Sequence, residues 1–287
     1  MRKKKSHLDI KSINTISMFW TALTHKITFV ATWRLFISGM TEFFIPQFTT
    51  MFRLSDRPVV SVDHPLDETI PFRPELVNIY MHFYPLCIKC MYFLYKEFGK
   101  PALPVIRDIM NDVANIYYEA GKIYRERQST TDRPRYLKTA KFRLIHLVDP
   151  HLHCVPSLHV LLVVFNYVRM SQIIDRFSAE DSDYSEQLAY MYSQAVEITN
   201  SILFIKQHSV NCIPAALYTM SNLYPEYTMQ RATSFIDDLV IDQSLDSRDQ
   251  IKEFIHTQYR GFMESDSDTC YRDVLLDFLR TCEPVAR

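Results

Sequence analysis

Apolar and polar residues along most of this chain are spaced as they are in amphipathic helices. The segment 104–127 shows this most clearly, because its apolar residues recur every three or four positions with polar residues between them. These residues are Ile106, Ile109, Val113, Ile116 and Tyr117. A polar loop, QSTTDRPR at 128–135, follows, and prolines and short polar clusters separate the other apolar stretches. The pattern predicts an all-α chain.

The same pattern divides the chain into three parts. It predicts an N-terminal helical segment over 1–60, a helical core over 61–225 and a C-terminal helical extension over 226–287, all within one domain. Within the core, one helix is expected to start near Pro156 and another to run over 188–206, after an acidic connector.

Two strongly apolar stretches carry charges that a membrane span usually lacks. Residues 15–40 include Lys26 and Arg34, and residues 76–95 include Lys89. A spanning helix needs about 20 residues with few or no charges, so neither stretch predicts a clean transmembrane span. We therefore expect a membrane-associated or cytoplasmic protein.

The basic run RKKK at 2–5 precedes polar residues and no short apolar core, so it does not predict a signal peptide. Such a run is typical of a solvated tail, and attraction to anionic lipid headgroups is the alternative. A peripheral membrane contact is left open.

Composition narrows the classes of function. The chain has 287 residues with a net charge of −1, which gives no electrostatic sign of a nucleic-acid partner. It has only 4 glycines, too few for many hairpin turns or for a glycine-rich phosphate loop. This disfavours an all-β fold and argues against a Rossmann or P-loop nucleotide enzyme.

Cysteine and histidine clusters raise the question of a metal. The 6 cysteines are too few and too scattered for a disulfide framework. Cys87 and Cys90 form a C-x-x-C pair, but no second pair follows at zinc-site spacing, so helix packing is expected there. The stretch HLVDPHLHC at 146–154 is expected to form a pocket wall, with a metal site as the alternative. No metal or cofactor is expected overall.

Two short stretches carry the candidate chemistry. PSLH at 156–159 places His159 at the expected start of a helix, where free N–H groups attract an anion. Taken alone, His159 is more typical of a hydrogen-bonded structural histidine. In SILFIKQHSVNC at 201–212, however, Lys206 lies two residues before His208. A neutral imidazole beside a phosphate bound by lysine is a competent nucleophile.

These two stretches resemble the second and third signature motifs of the type 2 phosphatidic acid phosphatase superfamily. The spelling PSLH with S-x4-K-Q-H is similar to its inositol-phosphorylceramide-synthase-like branch. The first motif is approximated by RERQSTTDRPR, in which Arg133 and Pro134 fit. The stretch LDETIPFRPELVNIYMHFYP at 66–85 also resembles the entry to the first core helix of that branch. The resemblance covers residues 66–220.

The resemblance implies a helical bundle of the phosphatidic acid phosphatase and vanadium haloperoxidase type, here with an extra C-terminal segment, and chemistry without a metal. It implies that His208 is the nucleophile and His159 the general acid. The implied phosphate-binding residues are Lys206, Arg133, Ser157 and, less securely spaced, Arg127. The substrate so implied is a phosphate ester of lipid type.

Two positions depart from the family pattern. The family places an arginine after the serine of its third motif, and Ile202 stands there. It also places an aspartate four residues after the nucleophile, where helical spacing lets the carboxylate orient the imidazole. Cys212 stands there, with Asn211 as the nearest substitute acceptor. Pro214 further implies that the following helix starts later or kinks.

The sequence thus predicts a phosphatase or phosphotransferase that works through a phosphohistidine. The alternative is a catalytically impaired descendant that binds phosphate or acts as a scaffold. A metal-dependent hydrolase using the 146–154 cluster is the third hypothesis. The headgroup of the substrate, the choice between hydrolysis and transfer, and the oligomeric state are left open by the sequence.

Overall fold

The computed structural model describes residues 4–5, 8–179, 182–239, 245–265 and 270–285. Within these ranges the chain is mostly helical, with little strand, which confirms the expected all-α class. Of the basic run at 2–5, Arg2 and Lys3 lie outside the described residues.

The helices follow one another with short connections. The first half of the chain holds α1 (Thr15–Thr24), α2 (Lys26–Ser38), α3 (Ile45–Met51), α4 (Pro65–Thr69), α5 (Val77–Tyr80), α6 (Phe83–Phe98) and α7 (Leu103–Glu126). The second half holds α8 (Ala140–Val148), α9 (Leu158–Phe177), α10 (Ser185–Phe204), α11 (Cys212–Leu223), α12 (Met229–Asp237), α13 (Arg248–Glu264) and α14 (Tyr271–Thr281). A π-helical turn, Gly39–Phe44, joins α2 to α3, and 3₁₀ turns occupy Ile10–Ser12, Pro74–Leu76 and Lys100–Ala102.

Several predicted boundaries agree with the structure. α7 matches the stripe predicted over 104–127, and α9 begins two residues after Pro156, which follows a cis peptide bond. α10 matches the helix expected over 188–206, except that it ends at Phe204 and is followed by a turn.

The predicted loop at 128–135 begins instead as a strand. β3 (Gln128–Thr130) pairs in parallel with β2 (Val59–Ser61), and a second two-stranded parallel sheet joins β1 (Lys4–Lys5) to β4 (Ser182–Asp183). Parallel pairs join distant segments without a hairpin turn, so the shortage of glycine does not prevent them. β3 also holds the segment before α9, because Ser129 Oγ accepts a 2.8 Å hydrogen bond from the Val155 N–H.

The buried apolar side chains form one cluster that extends from Ile10 to Leu279. α9 lies deep within this cluster and is apolar on nearly all sides. It is the one helix among the described residues that is long and apolar enough to cross a membrane, and 72% of its apolar window is buried in the protein. A buried core helix passes the same test, so α9 is weak evidence for a span.

Candidate functional site

The start of α9 presents Ser157 and His159 to the protein interior. Ser157 is the N-cap residue, but its hydroxyl makes no capping hydrogen bond to the helix. Instead, its Oγ lies 3.3 Å from Nε2 of His208. The preceding carbonyl, that of Pro156, accepts a 2.5 Å hydrogen bond from the buried Tyr124 hydroxyl of α7. This start of the helix is therefore held by α7 and turned towards His208.

His208 reaches the site from the turn between α10 and α11. The Gln207 N–H donates to the Ile202 carbonyl at 2.9 Å and the Lys206 N–H donates to the Leu203 carbonyl at 3.0 Å. These two bonds form a Schellman motif, the common hydrogen-bonded end of an α-helix. Lys206 occupies its left-handed position with a φ of 55°, where glycine is the usual residue. The motif ends α10 and turns His208 inward.

The two candidate histidines are in direct contact. Nδ1 of His159 lies 3.2 Å from Nε2 of His208, and the two rings cross at 66°. Both side chains are buried. The structure thus brings together Ser157, His159 and His208 from the second and third motifs.

Burial keeps both imidazoles neutral. It lowers the pKa of His208 to about 3, with the Arg133 charge acting in the same direction and the backbone of Cys154 opposing it. The pKa of His159 is well below its usual value because of burial and the neighbouring His208. The rings of Tyr80 and Phe83 enclose His159 at centroid distances of 4.6 and 4.3 Å. A neutral imidazole keeps a lone pair for nucleophilic attack.

The other ring nitrogen of His208, Nδ1, is buried and lacks a well-formed hydrogen bond among the described residues. Asn211 donates from Nδ2 to the Val62 carbonyl at 3.1 Å. Cys212 is buried at the start of α11, where burial and the adjacent Cys154 raise the pKa of its thiol. Since α11 begins at Cys212, His208 and Cys212 do not share a helix, and the helical spacing expected from the sequence does not apply.

Arg133 is a cation whose charge lowers the pKa of His208. Its Nη1 donates to Gln207 Oε1 and its Nη2 to the Asp149 carbonyl, both at 3.2 Å. Arg133 also opposes the rise that burial causes in the pKa of the Asp149 carboxyl. The guanidinium is therefore held beside the turn that carries His208, and its role in phosphate binding stays a prediction.

Among the described residues, the Lys206 side chain bonds to Asp67 and not to the histidine pair. Its Nζ donates to the Asp67 carbonyl, and its pKa is lowered by partial burial against the opposing effect of nearby carboxylates. It lines an open cleft of about 860 Å³ that also reaches His208. The acidic residues of this cleft are Asp63, Asp67, Glu68, Asp132 and Glu283.

Arg127 lies at the end of α7, away from the motif residues. It is the C-cap of that helix, and its charge opposes the rise that burial causes in the pKa of the Cys282 thiol. The structure records no contact from Arg127 to Ser157, His159 or His208 within the described ranges. Its role in phosphate binding stays a prediction.

His159 also lines an apolar slot of about 150 Å³. Phe44 of the π-helical turn and Leu144 and Val148 of α8 form part of its wall, and Asp149 lines it as well. The sequence did not single out this slot, because its walls come from segments distant along the chain. The aromatic residues Tyr80 and Phe83, which enclose His159, were missed for the same reason.

The cluster at 146–154 forms part of the wall around the pair. His151 pairs through Nε2 with Thr131 Oγ1 at 2.7 Å, while Nε2 of His153 lies 3.0 Å from Gln128 Nε2 and its ring stacks on Tyr124. In the part of the chain that the structure describes, no three His, Cys, Asp or Glu side chains are grouped to hold a metal ion.

Comparison with known proteins finds no relative of this chain. No protein-family model, no curated protein and no solved structure matches the chain.

Proposed function

We propose that this protein transfers the phosphoryl group of a phosphate ester through a phosphohistidine formed on His208. The observation that carries the proposal is the buried contact between His208 Nε2 and both His159 and Ser157, beside Arg133. The site thus combines a neutral nucleophile, a proton carrier and a nearby cation, the groups that phosphoryl transfer without a metal requires.

In the first step, Nε2 of His208 attacks phosphorus and the bond between phosphorus and the ester oxygen breaks. His159 donates a proton to the departing alkoxide, which leaves as an alcohol. In the second step, water or another alcohol attacks the phosphohistidine, and His159 takes up the proton released. His208 leaves as a neutral imidazole, and the protonation of His159 is restored. Ser157 and Arg133 hold the phosphoryl oxygens.

Attack on phosphorus requires the two rings to separate, because Nε2 of His208 already contacts His159 and Ser157. The enclosed cavity beside them has about 10 Å³ of free space, room for at most one water molecule. The negative charge of a bound phosphoryl group raises the pKa of His159, so that His159 can act as an acid. The apolar slot at His159 favours a leaving group with an apolar chain, which supports an ester of lipid type.

A second candidate function is phosphate binding without turnover. It is favoured because Nδ1 of His208 has no carboxylate partner among the described residues, and loss of an orienting carboxylate can leave the imidazole in the wrong tautomer. A serine protease triad loses about 10⁴-fold in rate when its aspartate is changed to asparagine. Tight vanadate or phosphate binding without product release is the expected behaviour of such a protein.

The test is phosphate release from lipid and soluble phosphate esters in mild detergent, with and without vanadate. We expect His208→Ala and His159→Asn each to lower the rate by roughly a thousandfold or more. His256→Ala is the matched control, because His256 pairs with Asp237 on the C-terminal helices. Undiminished turnover by His208→Ala would contradict the mechanism, and vanadate binding with no turnover by the unmodified chain would favour the second function.

A further inference from the structure

The helices α1 and α2 expose large apolar side chains along one face. Phe29, Val30, Trp33, Phe36 and Ile37 follow the spacing of a single helical face, and Val30 is 72% and Phe36 58% exposed. On α1, Trp20 is 61% exposed and Phe19 stands beside it. We name this surface the outer face of α1 and α2.

The inner side of α2 carries the opposite kind of residue. Thr28 and Ala31 are buried there, and α2 packs along α7. Small residues inside and large apolar residues outside reverse the pattern of a helix that faces water. They are typical of helices that pack closely on one side and contact lipid on the other.

The charges around this face suit an anionic lipid surface. Lys26, where α1 meets α2, and Arg53, just after α3, are exposed. The one acidic residue between Thr15 and Ser55 is Glu42, and it pairs with Arg125 of α7. The outer face therefore presents aromatic and aliphatic side chains with cations nearby and no free acidic residue in this segment, an arrangement that suits helices lying in the membrane interface.

From the outer face, the chain leads through the π-helical turn directly into the wall of the apolar slot. The π-helical turn that extends α2 supplies Phe44 to the slot wall, and α8 supplies Leu144 and Val148 from the other side. Leu144 and Val148 are themselves exposed, as is the neighbouring Leu147. An apolar path therefore connects the protein surface to His159.

We infer that the outer face of α1 and α2 binds the surface of a lipid bilayer with anionic headgroups, with its apolar side chains in the headgroup–acyl boundary. The inference rests on the exposed face and does not depend on the proposed phosphoryl transfer. If both hold, the slot opens towards the bilayer, and a lipid substrate reaches His159 without crossing water.

The chain carries its own reporters of this contact, because both of its tryptophans, Trp20 and Trp33, lie on the outer face. We expect their fluorescence to shift to shorter wavelength when vesicles of phosphatidylcholine and phosphatidylglycerol are added. Lipids brominated on the acyl chain should quench it. Vesicles of phosphatidylcholine alone should give weaker binding, and equal binding would contradict the role given to Lys26 and Arg53.

The double variant Val30→Asp with Phe36→Asp keeps both tryptophans and should partition onto vesicles at least roughly tenfold less. Circular dichroism should show an unchanged helical spectrum, because both side chains are exposed. Met229→Asp is the control, since Met229 is exposed on α12, which packs against α11 and α13.

Unchanged fluorescence on vesicle addition, or equal binding by the double variant, would overturn the inference. So would a dimer whose tryptophan emission is already at short wavelength without lipid, because a second copy of the chain would then cover the face. None of these readouts depends on phosphate release, so failure of one proposal is distinguishable from failure of the other.

Discussion

At the scale of single residues, Lys206 has a backbone role that the sequence does not show, in addition to its charge. Its charge suits a phosphate, but its backbone occupies the left-handed position that ends α10. A residue with a Cβ is strained in this conformation, whereas glycine is not. The position of His208 thus depends on a turn that Lys206 adopts under strain.

We predict that Lys206→Gly will be about 1 kcal/mol more stable to urea than Lys206→Ala. Both variants lose the charge, and they differ only in the strain at φ 55°. If the charge also binds phosphate, both should raise the KM for the phosphate ester by a similar factor. Equal stability of the two variants would show that the turn relaxes without cost.

At the scale of secondary-structure elements, the contact of α7 with the π-helical turn depends on a glycine. A Cβ placed on Gly121 would lie 2.9 Å from the Cβ of Glu42, closer than side chains normally approach. The same turn carries Phe43 and Phe44 to the apolar slot. The close approach of these two elements therefore sets one wall of the candidate site.

We predict that Gly121→Ala will destabilise the protein by about 1–3 kcal/mol, because it overpacks this contact. Gly261→Ala is the matched control, since nothing lies within 4 Å of a Cβ at that position of α13. It should be neutral or stabilising by about 0.5–1 kcal/mol, as expected for alanine in a helix. Urea denaturation of the two variants measures both effects, and equal destabilisation would refute the steric argument.

At the scale of the whole molecule, buried imidazoles couple the fold to pH. His151, His153, His159 and His208 are all buried with lowered pKa values. The unfolded chain binds protons to these groups near pH 6.5, whereas the folded chain does not. The unfolded state therefore holds more protons below that pH, and stability falls on acidification from about 6.5 towards the lower folded pKa values.

We predict that each such histidine contributes a loss of up to about 1.4 kcal/mol per pH unit in this window. His153→Gln should make the pH dependence of the unfolding free energy shallower by about one proton. Urea titrations between pH 7 and pH 5 measure this change in slope. An unchanged slope for His153→Gln would mean that its ring is protonated in the folded state.

The sequence by itself determined the helical class and the position of its clearest elements. The apolar stripe of 104–127 predicted α7 because period and burial agree along one helix. It also singled out His159 and His208, which the fold then brought into contact. It did not predict β3, because a parallel partner such as β2 lies too far along the chain to leave a local signal.

Only the tertiary structure decided what surrounds the two histidines. Their 3.2 Å contact, the turning of Lys206 towards the acidic cleft and the apolar slot at His159 all depend on side chains from distant segments. The outer face of α2 was also ambiguous from sequence, because periodicity marks an apolar stripe without stating which side faces the core. Packing of the small residues of α2 against α7 settled that orientation, since only small side chains allow so close an approach.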